Sequence, residues 1–129
     1  MTEKSAGQRK QSREIGLSMV FVFVLVRAAL HLFPDSNLEV AGYNVHHLFT
    51  GILLFVIAGI PLALGLGDRR IGRALNVILG AGLALVMDEW IYLIVTDGSD
   101  SSYLLPVSLW GGILMVAATL LYIAYLGRK

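Results

Sequence analysis

The chain has no cysteine. Disulfides, thiolate metal sites, iron–sulfur clusters and a cysteine nucleophile are therefore excluded. No lysine lies inside an apolar stretch, which excludes a retinal-type Schiff base. No basic stripe with interleaved aromatics is present, so nucleic acid is not an expected partner. Lys and Arg are also missing from two of the connections between apolar stretches: 34–44 carries Asp35 and Glu39, and 96–103 carries Asp97 and Asp100.

What remains is mostly apolar. The 129 residues are 57% hydrophobic, with a mean hydropathy of +0.75, outside the range of soluble domains. A bilayer core needs about 20 apolar residues per helix. Ile15–Phe33, Val45–Leu66, Ala74–Val95 and Leu104–Leu126 qualify and leave no room for a soluble domain. The expected fold is all-α: a polytopic membrane protein built as an up-down bundle of four transmembrane helices. Residues 1–14 are expected as a loosely ordered cytoplasmic segment, and 127–129 as a cytoplasmic tail. The first run starts basic, but it is longer than a signal-peptide core and contains Arg27, so it reads as a retained helix.

The charges sort by side. Lys4, Arg9, Lys10 and Arg13 precede the first run, Arg69, Arg70 and Arg73 separate the second from the third, and Arg128 and Lys129 close the chain. The positive-inside rule then places both termini in the cytoplasm of a multi-pass cell-membrane protein. Membrane lipid is the expected partner, and the basic ends can meet anionic lipid. Gly51, Ala58, Gly80, Ala84, Gly111 and Gly112 allow close helix contact.

The remaining basic residue, Arg27, lies inside the first run. Helical rise puts it about 9 Å below the outer end, and Asp88 about 10 Å below the outer end of the third run. Glu89 is one residue shallower. His31 is one turn above Arg27, and His46 and His47 open the second helix at the outer surface. Tyr92 stacks above Asp88 and Glu89. Trp90 and Trp110 lie near the same level as candidate cavity walls, while Tyr43, Tyr103, Tyr122 and Tyr125 fit interfacial belts.

A charge at the centre of hydrocarbon costs at least about 2.5–3.5 kcal/mol, so these groups demand partners. Three readings follow. In the first, His31, His46, His47, Asp88 and Glu89 supply a metal site for Zn, or Fe or Mn, with Arg27 orienting a carboxylate or binding a substrate anion. A metal-bound water in an outward-facing pocket would make the protein a hydrolase. In the second, the same groups serve a proton-coupled or ion-translocating homo-oligomer. In the third, Arg27 is locked to Asp88 or Glu89 in a structural or partner-binding subunit. Haem held by histidines of the first two helices is a further, weaker option.

The stretch His46-His47-Leu48-Phe49-Thr50-Gly51, followed on the next helix by Gly82-Leu83-Ala84-Leu85-Val86-Met87-Asp88-Glu89, resembles small uncharacterised prokaryotic four-helix integral membrane proteins. The resemblance covers the second and third helices. It implies that the histidines and the carboxylates belong to one site.

Overall fold

The computed structural model describes residues 3–34, 39–40, 43–66 and 68–129. Asp35, and the side chains of Lys4, Glu39 and Tyr43, lie outside the described residues. The protein is helical, with α1 (Glu3–Leu32), α2 (His47–Ala63), α3 (Arg69–Val95), the short α4 (Asp100–Tyr103) and α5 (Pro106–Leu126). Two-residue strands β1 (Glu39–Val40) and β2 (Tyr43–Asn44) pair antiparallel between α1 and α2.

Three segments are long and apolar enough to cross a membrane: Ala6–Leu32, Arg69–Val95 and Pro106–Leu126. The apolar α2 has 17 residues. It runs through Pro61, and Gly65, at φ 65°, turns the chain out of the helix. Asp68 then opens α3 by accepting from the backbone N–H groups of Arg70 and Ile71.

The expectation for residues 1–14 is corrected from Glu3 onward, where the chain is already part of α1. Glu, Lys, Gln, Arg and Ala are all good helix formers. The extension is also anchored: Gln11 Nε2 donates to Asn76 Oδ1 at 3.1 Å, and Asn76 Nδ2 donates to Glu14 Oε2 at 2.9 Å. At 30 residues α1 is about 45 Å long, more than a bilayer core of about 30 Å requires.

Helix α3 lies in the middle and packs against α1, α2 and α5, and α1 and α5 also touch. The contacts fix direction. Arg27 meets Asp88 and Gln11 meets Asn76, so α1 and α3 run the same way. His47 meets Asp88 near one end of α2, so α2 runs against α3, and Arg27 reaching Ser108 sets α5 against α1.

Glycines bring the backbones together. A Cβ at Gly82 would sit 2.8 Å from the Gly51 carbonyl oxygen, so α2 and α3 touch backbone to backbone. A Cβ at Gly111 would lie 2.6 Å from Ile91. The apolar core, Met19, Ala84 and Val116 with Phe23, Met87 and Leu120 around it, occupies the middle of the bundle. The outer surfaces are greasy: Leu17, Phe21, Phe49, Leu53, Leu114 and Leu121 are all exposed.

Candidate functional site

Asp88 and Glu89 are neighbours on α3, so their side chains leave the helix about 100° apart. They are 1% and 2% exposed, and each serves a different side of the bundle.

Asp88 faces α1 and α5. Arg27 Nε donates to its Oδ1 at 2.5 Å. The same guanidinium donates through Nη2 to the Ser108 carbonyl oxygen at 2.9 Å and lies 3.2 Å from Ser108 Oγ. Its Cζ stands 4.2 Å from the Tyr103 ring centroid, a cation–π distance. Room for the pair exists because residue 112 is glycine; a Cβ there would lie 2.8 Å from Asp88 Oδ1. The other carboxylate oxygen, Oδ2, accepts from Tyr103 Oη and lies 2.9 Å from His47 Nε2. Burial first, then the charge of Asp88, push the Tyr103 phenol far above its ordinary value, so it stays a donor.

Glu89 faces α2. Helix α2 begins at His47 with no cap from the side chain of His46. Glu89 supplies that cap from the neighbouring helix: Leu48 N–H donates to its Oε2 at 2.7 Å, a carboxylate at the positive end of a helix. Its Oε1 lies 3.2 Å from His46 Nδ1 and 3.4 Å from His47 Nδ1. Tyr92, 1% exposed, donates to the Ser99 carbonyl oxygen at 2.8 Å and so ties the turn before α4 to α3. The Tyr92 and Tyr103 rings meet edge to face at 5.4 Å.

His47 thus sits between the two carboxylates, with Nε2 in hydrogen-bond contact with Asp88 Oδ2 and Nδ1 3.4 Å from Glu89 Oε1. A neutral imidazole carries one N–H and one lone pair, so it can donate to only one of them. Among the described residues no fully buried side-chain nitrogen or oxygen lacks a partner.

The network borders a cavity of about 350 Å³, near the C-terminal end of α1 and the N-terminal end of α2. Its polar lining is His46, His47, Thr50, Glu89, Tyr92, Asp100 and Tyr103, and its apolar lining includes Val26, Leu30 and Leu104. This volume falls in the range of about 300–1,000 Å³ typical of small-molecule sites.

The structure gathers Arg27, His46, His47, Asp88, Glu89 and Tyr92. It does not bring in His31, which is exposed near the end of α1. Four residues along a helix advance the direction by about 40° past a full turn, and the short imidazole does not reach across as the arginine does. Trp90 and Trp110 do not line the cavity, contrary to expectation, and are 46% and 66% exposed. Trp90 follows inward-facing Glu89 by about 100°, and Trp110 turns away because Gly111 and Gly112 face α3.

Two members were not anticipated. Tyr103, expected in an interfacial belt, is 6% exposed at the centre of the network, and Ser108 is fully buried beside it. The one available signal was Pro106, which starts α5 at that point and leaves Tyr103 on a short helix that can fold back over the site.

Among the described residues no group of three or more His, Asp or Glu side chains is arranged to hold a metal ion. All four carboxylate oxygens of Asp88 and Glu89 face protein groups, two of them the imidazoles of His46 and His47. Comparison with protein families, curated proteins and solved structures finds no match to this chain.

Proposed function

We propose that the chain is a four-helix integral membrane protein that binds a small ligand from the outer side through a proton-holding pocket. The carrying observation is that His46, His47 and Glu89 belong both to the buried charge network and to the wall of the cavity. A network that served packing alone would have no reason to border a ligand-sized space. The mixed lining, with Thr50, Asp100 and Tyr103 beside Val26, Leu30 and Leu104, suits a small amphiphile with a hydrogen-bonding head. Such a head can exchange a proton with the imidazole–carboxylate pair.

Several observations support the membrane reading. Two carboxylates, Asp88 and Glu89, are buried while many large apolar side chains are exposed, a pattern unlike that of a water-soluble helical protein. Three helices have the length and composition to span. The fourth crossing is α2, about 25 Å long and within the usual range once its apolar flanks are counted. The positive-inside rule puts both termini in the cytoplasm of the cell membrane and the cavity outside.

The metal reading remains the second proposal, because two imidazoles and two carboxylates do converge. A bound Zn, Fe or Mn ion would have to displace the contacts that now occupy the carboxylates, and a hydrolase would further need an open position on that ion. A continuous ion path finds less support. The polar groups at the two ends of α3 are separated by the apolar core around Met19 and Val116.

The cysteine-free chain gives a direct test. Thr50, on the cavity wall, is changed Thr50→Cys and probed in sealed right-side-out vesicles with a membrane-impermeant thiol reagent. External labelling is expected. Labelling only after the vesicles are opened would overturn the outward-facing pocket. Elemental analysis of the same purified protein separates the two proposals: near-stoichiometric Zn, Fe or Mn would displace the proton-holding site in favour of the metal site.

A further inference from the structure

At the opposite end of the molecule the inner halves of α1 and α5 lie side by side and leave a groove of about 430 Å³. Its floor and walls are Leu17, Val20, Leu120 and Ile123. Its rim is Arg9, Arg13 and Arg128. Gly127 lets the two helices approach closely beside it: a Cβ there would run into the side chain of Ser12. From Arg9 to Val20 the α1 side of the groove runs about 16 Å.

The three arginines differ from their neighbours. Lys10 and Arg73 each approach Glu14, at 3.9 Å and 3.8 Å. Arg9, Arg13 and Arg128 are exposed and, among the described residues, make no ion pair. Three unneutralised guanidinium groups therefore stand at the mouth of a greasy slot, at the level where a helix longer than the hydrocarbon core enters the headgroup region.

We infer that this groove binds an anionic phospholipid of the inner leaflet, with one acyl chain between α1 and α5 and the phosphate among the three arginines. The inference rests on the membrane-spanning reading above with the N-terminus inside. Guanidinium groups bind phosphate oxygens in bidentate fashion, and basic pockets between membrane helices on the cytoplasmic side suit anionic headgroups. A zwitterionic lipid fills the same slot but brings its own cation toward the arginines. A second copy of the chain is disfavoured as occupant, because a two-fold contact through this face sets the same arginines against each other.

The test uses full-length protein reconstituted in vesicles of equal phosphatidylcholine and phosphatidylglycerol, extracted in mild detergent and examined by native mass spectrometry. Retained phosphatidylglycerol should exceed phosphatidylcholine. Each of Arg9→Gln, Arg13→Gln and Arg128→Gln should lower its retention about fivefold. Ala124→Trp, which fills the groove and keeps all three arginines, should also lose the lipid; circular dichroism confirms helix content in every variant. Equal retention of the two lipids, unchanged phosphatidylglycerol in the triple arginine variant, or a second copy covering the groove without lipid overturns the inference. Alkaline carbonate extraction keeps its failure distinct from that of the membrane reading. A chain released by carbonate overturns both. A chain that stays in the membrane without lipid preference overturns the lipid site alone.

Discussion

The C-terminal end of α3, the outer end in the proposed topology, carries two adjacent carboxylates tied to Arg27, His46, His47 and Tyr103, beside a cavity. About 18 Å further in, the same helix carries Asn76, an uncharged amide that bridges Gln11 and Glu14. Both polar sites latch α1 to α3. The inner one does so with a neutral hub whose one charged partner, Glu14, still reaches Lys10 and Arg73. The outer one gathers six ionisable groups, Arg27, His46, His47, Asp88, Glu89 and Tyr103, where the inner one uses the amides of Asn76 and Gln11 and one carboxylate. The lesson is that buried polarity alone does not mark a functional site. An excess of charge over what packing needs, open to a cavity, does.

That comparison is broken most directly at Arg27. Arg27→Leu strands Asp88 beside an uncompensated network, and breaking one side of a buried pair costs about 3–5 kcal/mol. Reversible unfolding in mixed micelles should show a loss of that size. Arg27→Met combined with Asp88→Asn should recover part of it, since the buried charge goes with its partner. A loss within about 1 kcal/mol for Arg27→Leu alone would mean that the outer network is no more tightly coupled than a single hydrogen bond.

A second test compares the glycines. Gly112→Val pushes a side chain into the Arg27–Asp88 pair and should cost about 1–3 kcal/mol as overpacking. Gly59→Ala is the control, because a Cβ there meets only Phe55, at 3.8 Å, and the better helix former should hold or raise stability, by up to about 1 kcal/mol. Equal stability of both variants would mean that the close approach at Gly112 does not position the pair.

At the inner end, Asn76→Leu removes the amide hub. Glu14 keeps Lys10 and Arg73 nearby, so the loss should be about 1 kcal/mol, the size of a net hydrogen bond, and smaller than for Arg27→Leu. An inner loss as large as the outer one would erase the distinction between latch and site.

Much of this was legible before any coordinates. Helical rise alone sets Arg27 level with Asp88, and the small residues of α3 announce the close contacts that Gly82 and Gly80 make. What stayed hidden depends on rotation and on folding back. His31 has the right depth, but its side chain does not reach across the bundle. Tyr103 has the composition of a belt residue, and only the turn through Ser99 and α4 carries it inward to Asp88. The helical state of residues 3–14 was hidden because charge argued for solvent, whereas Gln11 and Glu14 find Asn76.

The smallest expected effect concerns that turn. Asp97 lies outside the long apolar helices, and hydrogen bonds from Ser102 and Ser99 hold its carboxyl at about 2, below the ordinary 3.8. Its Oδ1 accepts from Ser102 Oγ at 2.6 Å and from Ser99 N–H at 3.0 Å, and so shapes the chain that delivers Tyr103 to the cavity. A depressed folded value means that the carboxylate contributes stability above 3.8, which is lost as pH falls through about 2. Asp97 is fully exposed, so the loss should be local rather than global. The thiolate fraction itself falls with pH, so the rate is read relative to a free thiol at the same pH. Acidification across that window should loosen α4 and raise the relative labelling rate of the Thr50→Cys protein, while overall helix content holds. Asp97→Asn cannot ionise, so in that background the relative rate should start higher and stay level across the window. If parent and variant labelled alike at every pH, the Asp97 turn would not control access to the cavity. The mobile element of the site would then have to be sought on the α1 or α2 side, leaving the outer network no more gated than the inner latch.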